Sequence, residues 1–318
     1  MSLPIDSPRF PILKLPHLVQ WEIIRQAEIV DVIALTYSSS KMRNLVIDSR
    51  IRNAEVQCGV GNKDGWVVEI DGKFTVKVKE LDRRTRVVML KFKNSRRQMT
   101  LLRTHKSVNT LNHLFLQHLI PVFRGVISFQ TRFFVGKEDL TRHEIWKHRR
   151  TMTGLLLEST VKRKLSEDEI KFILDEVTIT KSLHICPSAD YGFRRLEGFT
   201  QETVIVNNPH WLTAPAIINS ESRLIELNFQ YKSFAMKWIP SLLKAWMSNE
   251  NLQNLETFRL ELMQSEEFDV DGLEEVLDGI EYEEVSYDSV LIESVDGRKG
   301  MVTMLTTEFW LTTGSHLE

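Results

Sequence analysis

The chain has 318 residues, 41 Lys and Arg against 43 Asp and Glu, and is 42% hydrophobic, which excludes a disordered chain. With 14 Gly and 9 Pro it is not low-complexity or collagen-like, and its length predicts about two domains. Cys58 and Cys186 form no CxxC pair, the start with Pro4, Asp6 and Pro8 is no signal peptide, and no apolar run nears the ~20 residues of a spanning helix, so the expected setting is the reducing cytosol or nucleus, away from membranes.

Residues 8–50 read as a small unit of three short helices. Pro11 and Pro16 set off the first, and Leu18, Val19, Ile23 and Ile24 fall near helical spacing. Asp31 is placed to cap a second helix carrying Val32, Ile33 and Leu35. Ser38 to Ser40 breaks it, and Lys41 to Ile47 forms a third. About 40 residues is near the lower limit for independent folding, so this unit either docks on the domain after it or needs a partner.

Residues 51–105 read as β-rich. Asp71-Gly72 sits between two β-branched runs, a hairpin signal because both residues tolerate the positive φ of a tight turn. Val76 and Val78 alternate with Lys77 and Lys79, as in a strand with one buried face, and Val87 to Lys93 reads as another strand. Residues 71–106 carry twelve Lys or Arg against three acids, net +9, whereas 250–296 carry sixteen acids and one base (Arg259), net −15. The two segments are expected to face one another or to form opposite poles. The strand pattern favours a lysine-rich sheet face over a nucleic-acid surface, since lysines also deter edge pairing.

Residues 106–318 begin with a helix at 106–120 carrying Leu111, Leu114, Phe115 and Leu119. Ser166-Glu-Asp-Glu169 is a capping box, with Ile170, Ile173, Leu174 and Val177 after it on one helical face. Short strands and helices then alternate: strand 183–185, strand 203–206, a turn and helix over 209–218, strand 224–229, helix 236–247 interrupted by Pro240, strand 255–262, helix 271–280. Leu183, Val204 and Ile225 are spaced by 21 residues each time, the spacing of a degenerate leucine-rich repeat with one strand and one helix per unit. An ordinary α/β domain with a parallel sheet is the alternative. The fold expected is thus α+β to α/β.

No catalytic or metal motif stands out. Gly59 to Gly65 has one residue too many for GxGxxG and no helix after it. His143-Glu144 with His148 misses HExxH by one residue, which takes the two imidazoles off a shared face and leaves a solvated basic helix. Glu274, Glu275, Glu281, Glu283 and Glu284 read as a solvated face, and Trp211, Trp238 and Trp246 as core residues of amphipathic helices. No cofactor and no enzyme activity are expected.

The N-terminal unit resembles the F-box motif of the large nematode F-box families. Leu15-Pro16-x-Leu18-Val19 opens it, Ile23-Ile24 continues, and Asp31-Val32-Ile33 precedes Leu35 and the run Ser38 to Val46. Ser38 and Ser40 stand where the family usually has Cys and Lys. The C-terminal part is similar to the type 2 F-box-associated domain of the same families, through Trp211-Leu212-Thr213, Leu242-Leu243-Lys244-Ala245-Trp246-Met247, Asn254-Leu255-Glu256, and Asp296-Gly297 before Met301-Val302.

The resemblance implies a substrate-recognition subunit of a Skp–cullin–F-box ubiquitin ligase. Its F-box at 8–50 would bind a Skp-type adaptor, and through it a cullin, and its domain at 106–318 an unknown protein substrate. Leu15, Pro16, Leu18, Val19, Ile23, Ile24, Val32, Ile33 and Leu35 are the expected adaptor-facing or docking set, some of them shared with the unit's own core. The alternatives are a protein-interaction scaffold with a vestigial F-box and a nucleic-acid-binding protein using 71–106.

Overall fold

A computed structural model describes residues 11–50, 55–62, 65–70, 74–80, 86–92, 98–104, 118, 120–123, 128–135, 139–143, 145–159, 163–190, 192–231, 236–263, 267–268 and 272–314. The fold is mixed α/β. It divides into two compact units, Met1–Phe129 with Lys147–Arg149, and Gln130–Trp146 with Arg150–Glu318. The first break along the chain falls after Phe129.

In the first unit, α1 spans His17–Gln26, α2 Ile29–Ser38 and α3 Ser40–Ser49. Pro16 is the N-cap of α1, and the buried Gln20 amide donates to the Leu15 carbonyl at 2.6 Å, pinning the chain where it enters the helix. α2 begins three residues earlier than expected, behind Glu28. Asp31 therefore lies in its first turn, where a carboxylate meets the positive end of the helix dipole, and is not the cap. Ser39 separates α2 from α3, and its hydroxyl accepts from the Met42 N–H at 3.2 Å. Ile24, Val32, Ile33, Met42, Leu45 and Val46 close the core between the helices. Arg25 Nε donates to the Ser49 carbonyl at 2.9 Å, tying the end of α1 to the end of α3.

Next in the chain, five antiparallel strands form a meander: β1 (Glu55–Asn62), β2 (Gly65–Ile70), β3 (Phe74–Glu80), β4 (Arg86–Phe92) and β5 (Gln98–Thr104). Val56, Cys58, Val68 and Ile70 are buried. Gly59 and Gly61 are part of β1, so that glycine run is a strand segment. The Ile70–Phe74 pair leaves three residues for the Asp71-Gly72 connection, one more than a two-residue turn. That connection, the basic side chains of 73–106 and all of the helix expected over 106–120 except His118 and Ile120 lie outside the described residues, and with them the expectation of facing charge poles.

In the second unit, β6 (Ser128–Val135), β7 (Thr151–Ser159), β8 (Thr178–Ile185), β9 (Thr203–Asn207), β10 (Leu224–Phe229) and β11 (Thr257–Leu262) lie side by side in chain order, all parallel. Between them come α4 (Ile145–His148), α5 (Glu167–Lys171) continued by a π turn over Phe172–Glu176, α6 (Ala214–Ile218) and α7 (Ile239–Met247). After α8 (Gly272–Val276), four antiparallel strands complete the sheet: β12 (Tyr282–Ser286), β13 (Ser289–Glu293), β14 (Lys299–Met304) and β15 (Glu308–Thr313). β15 pairs with β11, and the order outward is β15, β14, β13, β12.

The register explains the 21-residue step. Leu155, Leu183, Val204, Ile225, Phe258, Leu311 and Val302 are consecutive rungs of one ladder, and each is at most 2% exposed. Two residues along, Leu157, Ile185, Val206, Leu227, Leu260 and Phe309 form a second buried rung. With right-handed crossovers between neighbouring strands, the connecting helices fall on one face. Trp246 of α7 lies on that face against Gly300, where an added Cβ would come within 2.8 Å of its ring.

Local chemistry sets the helix ends. The capping box forms as read: Ser166 Oγ accepts from the Glu169 N–H and Glu169 Oε2 from the Ser166 N–H at 2.9 Å. The π turn after it rotates Phe172 inward beside Ile170 and Ile173, while Leu174 is only half-buried. Pro240 does not interrupt α7 but starts it, since a first-turn proline forfeits no helical hydrogen bond. The segment read as a solvated basic helix is α4, with Ile145 and Trp146 buried. Trp211 is buried outside any helix, next to Phe193, and Trp238 is half-buried before α7, edge-on to Phe229. No described helix is long and apolar enough to cross a membrane.

Candidate functional site

Two surfaces, one in each unit, stand out. The first is on α1, which carries Leu18, Val19, Trp21, Ile23 and Ile24 within seven residues. The helix buries fully only Gln20 and Ile24, one turn apart. Leu18 is 75% exposed, Val19 44% and Leu13, just before the helix, 49%. Pro16 is exposed too, and Leu15, Ile23 and Leu35 are half-buried. Ile24, Val32 and Ile33 are at most 1% exposed and belong to the unit's own core. The nine residues expected to dock a partner thus separate by burial into three that hold the helices together and six with surface to offer.

Behind α2 and α3, Tyr37 stacks on His118, with ring centroids 4.2 Å apart, and Arg43 Nη1 lies 3.5 Å from His118 Nδ1. Burial, with the Arg43 charge beside it, holds the His118 imidazole below its ordinary pKa; a backbone hydrogen bond with Thr36 opposes them. The Tyr37 phenol is pushed well up by burial. Both effects keep the pair neutral near pH 7.

The second surface is the sheet face opposite the helices in the second unit. Its residues alternate with the buried rungs and are polar or charged along most of its length. Arg132 on β6 grips Glu158 on β7 through two hydrogen bonds, 2.9 and 2.6 Å. On β8, His184 Nε2 lies 3.4 Å from Cys186 Sγ. Burial lowers the pKa of that imidazole against the pull of Glu226 and Glu158, and raises the thiol to about 11. A thiol so raised is a weak nucleophile at neutral pH.

Further along, Asn228 donates to Asn207 Oδ1 at 2.9 Å and to Glu226 Oε1 at 3.2 Å. Arg259 on β11 then meets three carboxylates, Glu308 at 2.8 Å, Glu261 at 3.0 Å and Glu226 at 3.6 Å, and lies over the Trp310 ring at 4.8 Å. Trp310 Nε1 donates to Glu308 Oε2 at 2.7 Å. Burial is the largest single influence and opposes ionisation of both Arg259 and Glu308, but their mutual hydrogen bond, the Trp310 hydrogen bond to Glu308 and the neighbouring charges together outweigh it. The guanidinium is raised and the carboxyl lowered, so both stay charged. This row is a polar platform most of whose hydrogen bonds are made to its own neighbours, although Asn228 Oδ1 and Arg259 Nε are buried without a partner among the described residues. It joins residues up to 82 positions apart, from Glu226 to Glu308, and nothing in the local sequence marks them as partners.

Comparison with models of known protein families, with curated proteins and with solved structures gave no match.

Proposed function

We propose that the chain is the substrate-recognition subunit of a Skp–cullin–F-box type ubiquitin ligase. The observation that carries this reading is the apolar surface on α1. A three-helix unit whose core is already closed leaves Leu13, Pro16, Leu18 and Val19 facing water, an arrangement a protein partner would bury. The Leu15-Pro16 opening of the resembled F-box lies at the edge of that surface. In this reading the first unit binds a Skp-type adaptor, and the second, with its in-register strand and helix units of leucine-rich-repeat type, presents a sheet to the substrate. Ubiquitin transfer takes place on other subunits of the complex.

The test is co-purification of the full chain with a Skp-type adaptor. Binding by the parent chain and its loss in Leu18→Asp with Val19→Asp supports the proposal. Absence of binding by the parent chain refutes it and leaves the protein-interaction scaffold as the reading. Ile24→Asp is unsuited to this purpose, because a charge at that buried site disrupts the helical unit itself.

A further inference from the structure

The unit that pairs through β11 and β15 ends in a strand unlike the others. β9, β11 and β13 bury alternate residues, but every residue of β12, Tyr282 to Ser286, is exposed. Among the described residues β12 pairs only with β13, so its outer row of backbone N–H and C=O groups has no strand beside it. A groove of about 570 Å³ opens between this hairpin and α8, with mixed walls in which Glu274 and Glu284 stand beside the apolar surfaces of Leu277, Tyr282, Val285 and Tyr287. Tyr287 is 81% and Val285 55% exposed.

Charge selects what fits there. From 272 to 288 the chain has seven acids, Glu274, Glu275, Asp278, Glu281, Glu283, Glu284 and Asp288, and no Lys or Arg. Arg259, the one base between 250 and 296, is taken up by Glu308, Glu261 and Glu226. A second copy pairing through the same edge would set glutamates against glutamates, and cross-strand like charges repel. Phosphate backbones are repelled in the same way. A strand bearing lysines or arginines at alternate positions meets opposite charge and leaves its other side chains for the groove.

We propose that β12 is a docking edge for an extended, Lys- or Arg-rich segment of a partner protein, which adds as a further strand beside β12 and lays its apolar side chains against α8. The recognition is backbone pairing for affinity, with charge and groove for choice. It is independent of adaptor binding; joined to the ligase reading, it gives the chemistry of the substrate segment.

The experiment uses the full chain and a fluorescein-labelled ten-residue peptide alternating Lys with Val, with anisotropy read at low salt. Saturable binding is expected, at least tenfold weaker to Glu283→Lys with Glu284→Lys, and weaker to Val285→Asp. A peptide with Glu in place of Lys, and one with alternate amides N-methylated, should not bind. All substituted side chains are exposed, so circular dichroism should match the parent, and adaptor binding should be retained by both variants. Equal binding of the N-methylated peptide would mean charge attraction without strand addition and overturns the proposal. No binding of the Lys/Val peptide, or dimerisation of the chain through this edge, overturns it as well.

Discussion

Glu169 offers the sharpest test of how the second unit is held. Its carboxylate is 2% exposed and accepts three donors: the Leu140 N–H at 2.8 Å, the Arg163 guanidinium at 2.6 Å and the Ser166 N–H at 2.9 Å. Glu169→Ala removes all three acceptors at once. The Leu140 N–H is buried, and a buried donor left unmade costs about 1–3 kcal/mol. Half of a capping box is worth about 1 kcal/mol. The Arg163 side chain is 24% exposed, so water partly replaces its lost partner and the expected loss there is about 1 kcal/mol or less. The sum is about 2–5 kcal/mol, a large part of the ~5–15 kcal/mol that holds a domain. Glu169→Gln keeps an acceptor for one or two of the N–H groups and should cost about half as much. Urea unfolding monitored by tryptophan fluorescence reports on it, because Trp146 donates to the Leu140 carbonyl at 2.7 Å and stacks on Phe133 beside the site. A Glu169→Ala loss below about 1 kcal/mol would refute the idea that this side chain joins the Leu140 turn to α5.

Other outcomes rest on the same physics. Leu18→Ala should leave the urea midpoint of the first unit unchanged within about 0.5 kcal/mol, whereas Ile24→Ala should cost about 2–5 kcal/mol, the large-to-small penalty of a core site; equal effects would refute the division between docking and core residues. His118 has a folded pKa below its unfolded value of about 6.5, so the unfolded chain takes up the proton first. Stability should therefore be level above about pH 7.5 and fall as pH drops through 6.5. His118→Phe, which keeps a ring against Tyr37, should reduce that slope in midpoints measured at pH 7.5, 6.5 and 5.5; an identical slope would count against it. Cys186, raised to about 11, and the fully buried Cys58, pushed up further by burial, should both resist iodoacetamide at pH 7.5. Mass spectrometry should find Cys186 labelled first as the pH is raised and Cys58 only in denaturant, and rapid labelling of Cys186 at pH 7.5 would contradict the geometry.

Much of the second unit was legible because its signals are local. The capping box at Ser166, the strand over 224–229 and the 21-residue step from Leu183 to Ile225 each need only a short window, and the structure places Leu183, Val204 and Ile225 as neighbouring rungs. The misreadings have local causes too. Pro240 looks like a breaker in a window that begins at Met236, but is favourable once α7 starts at Ile239. The hairpin of β12 and β13 went unseen because its first strand buries nothing and so has no alternation to detect. The polar platform was invisible for a different reason. Arg259 and Glu308 meet only because β15 returns to β11, and no window of sequence contains both. On α1 the sequence supplied the apolar residues but not their division, since Leu18, Val19, Ile23 and Ile24 cover most of the helix circumference and only the packing of α2 and α3 selects Ile24 for the interior.

The return of β15 to β11 also has a consequence for how the chain is assembled during synthesis. β12, β13 and β14 reach the rest of the sheet only through β15, although all three precede it in the chain. The six parallel strands can each settle on the one before as they emerge. The last four cannot join until β15 has been made, and meanwhile β11 stands with one side open. Translation and docking therefore run in opposite directions over this stretch, and a ribosome that stalls between 282 and 307 leaves a nascent chain with a bare parallel edge and an unattached acidic hairpin.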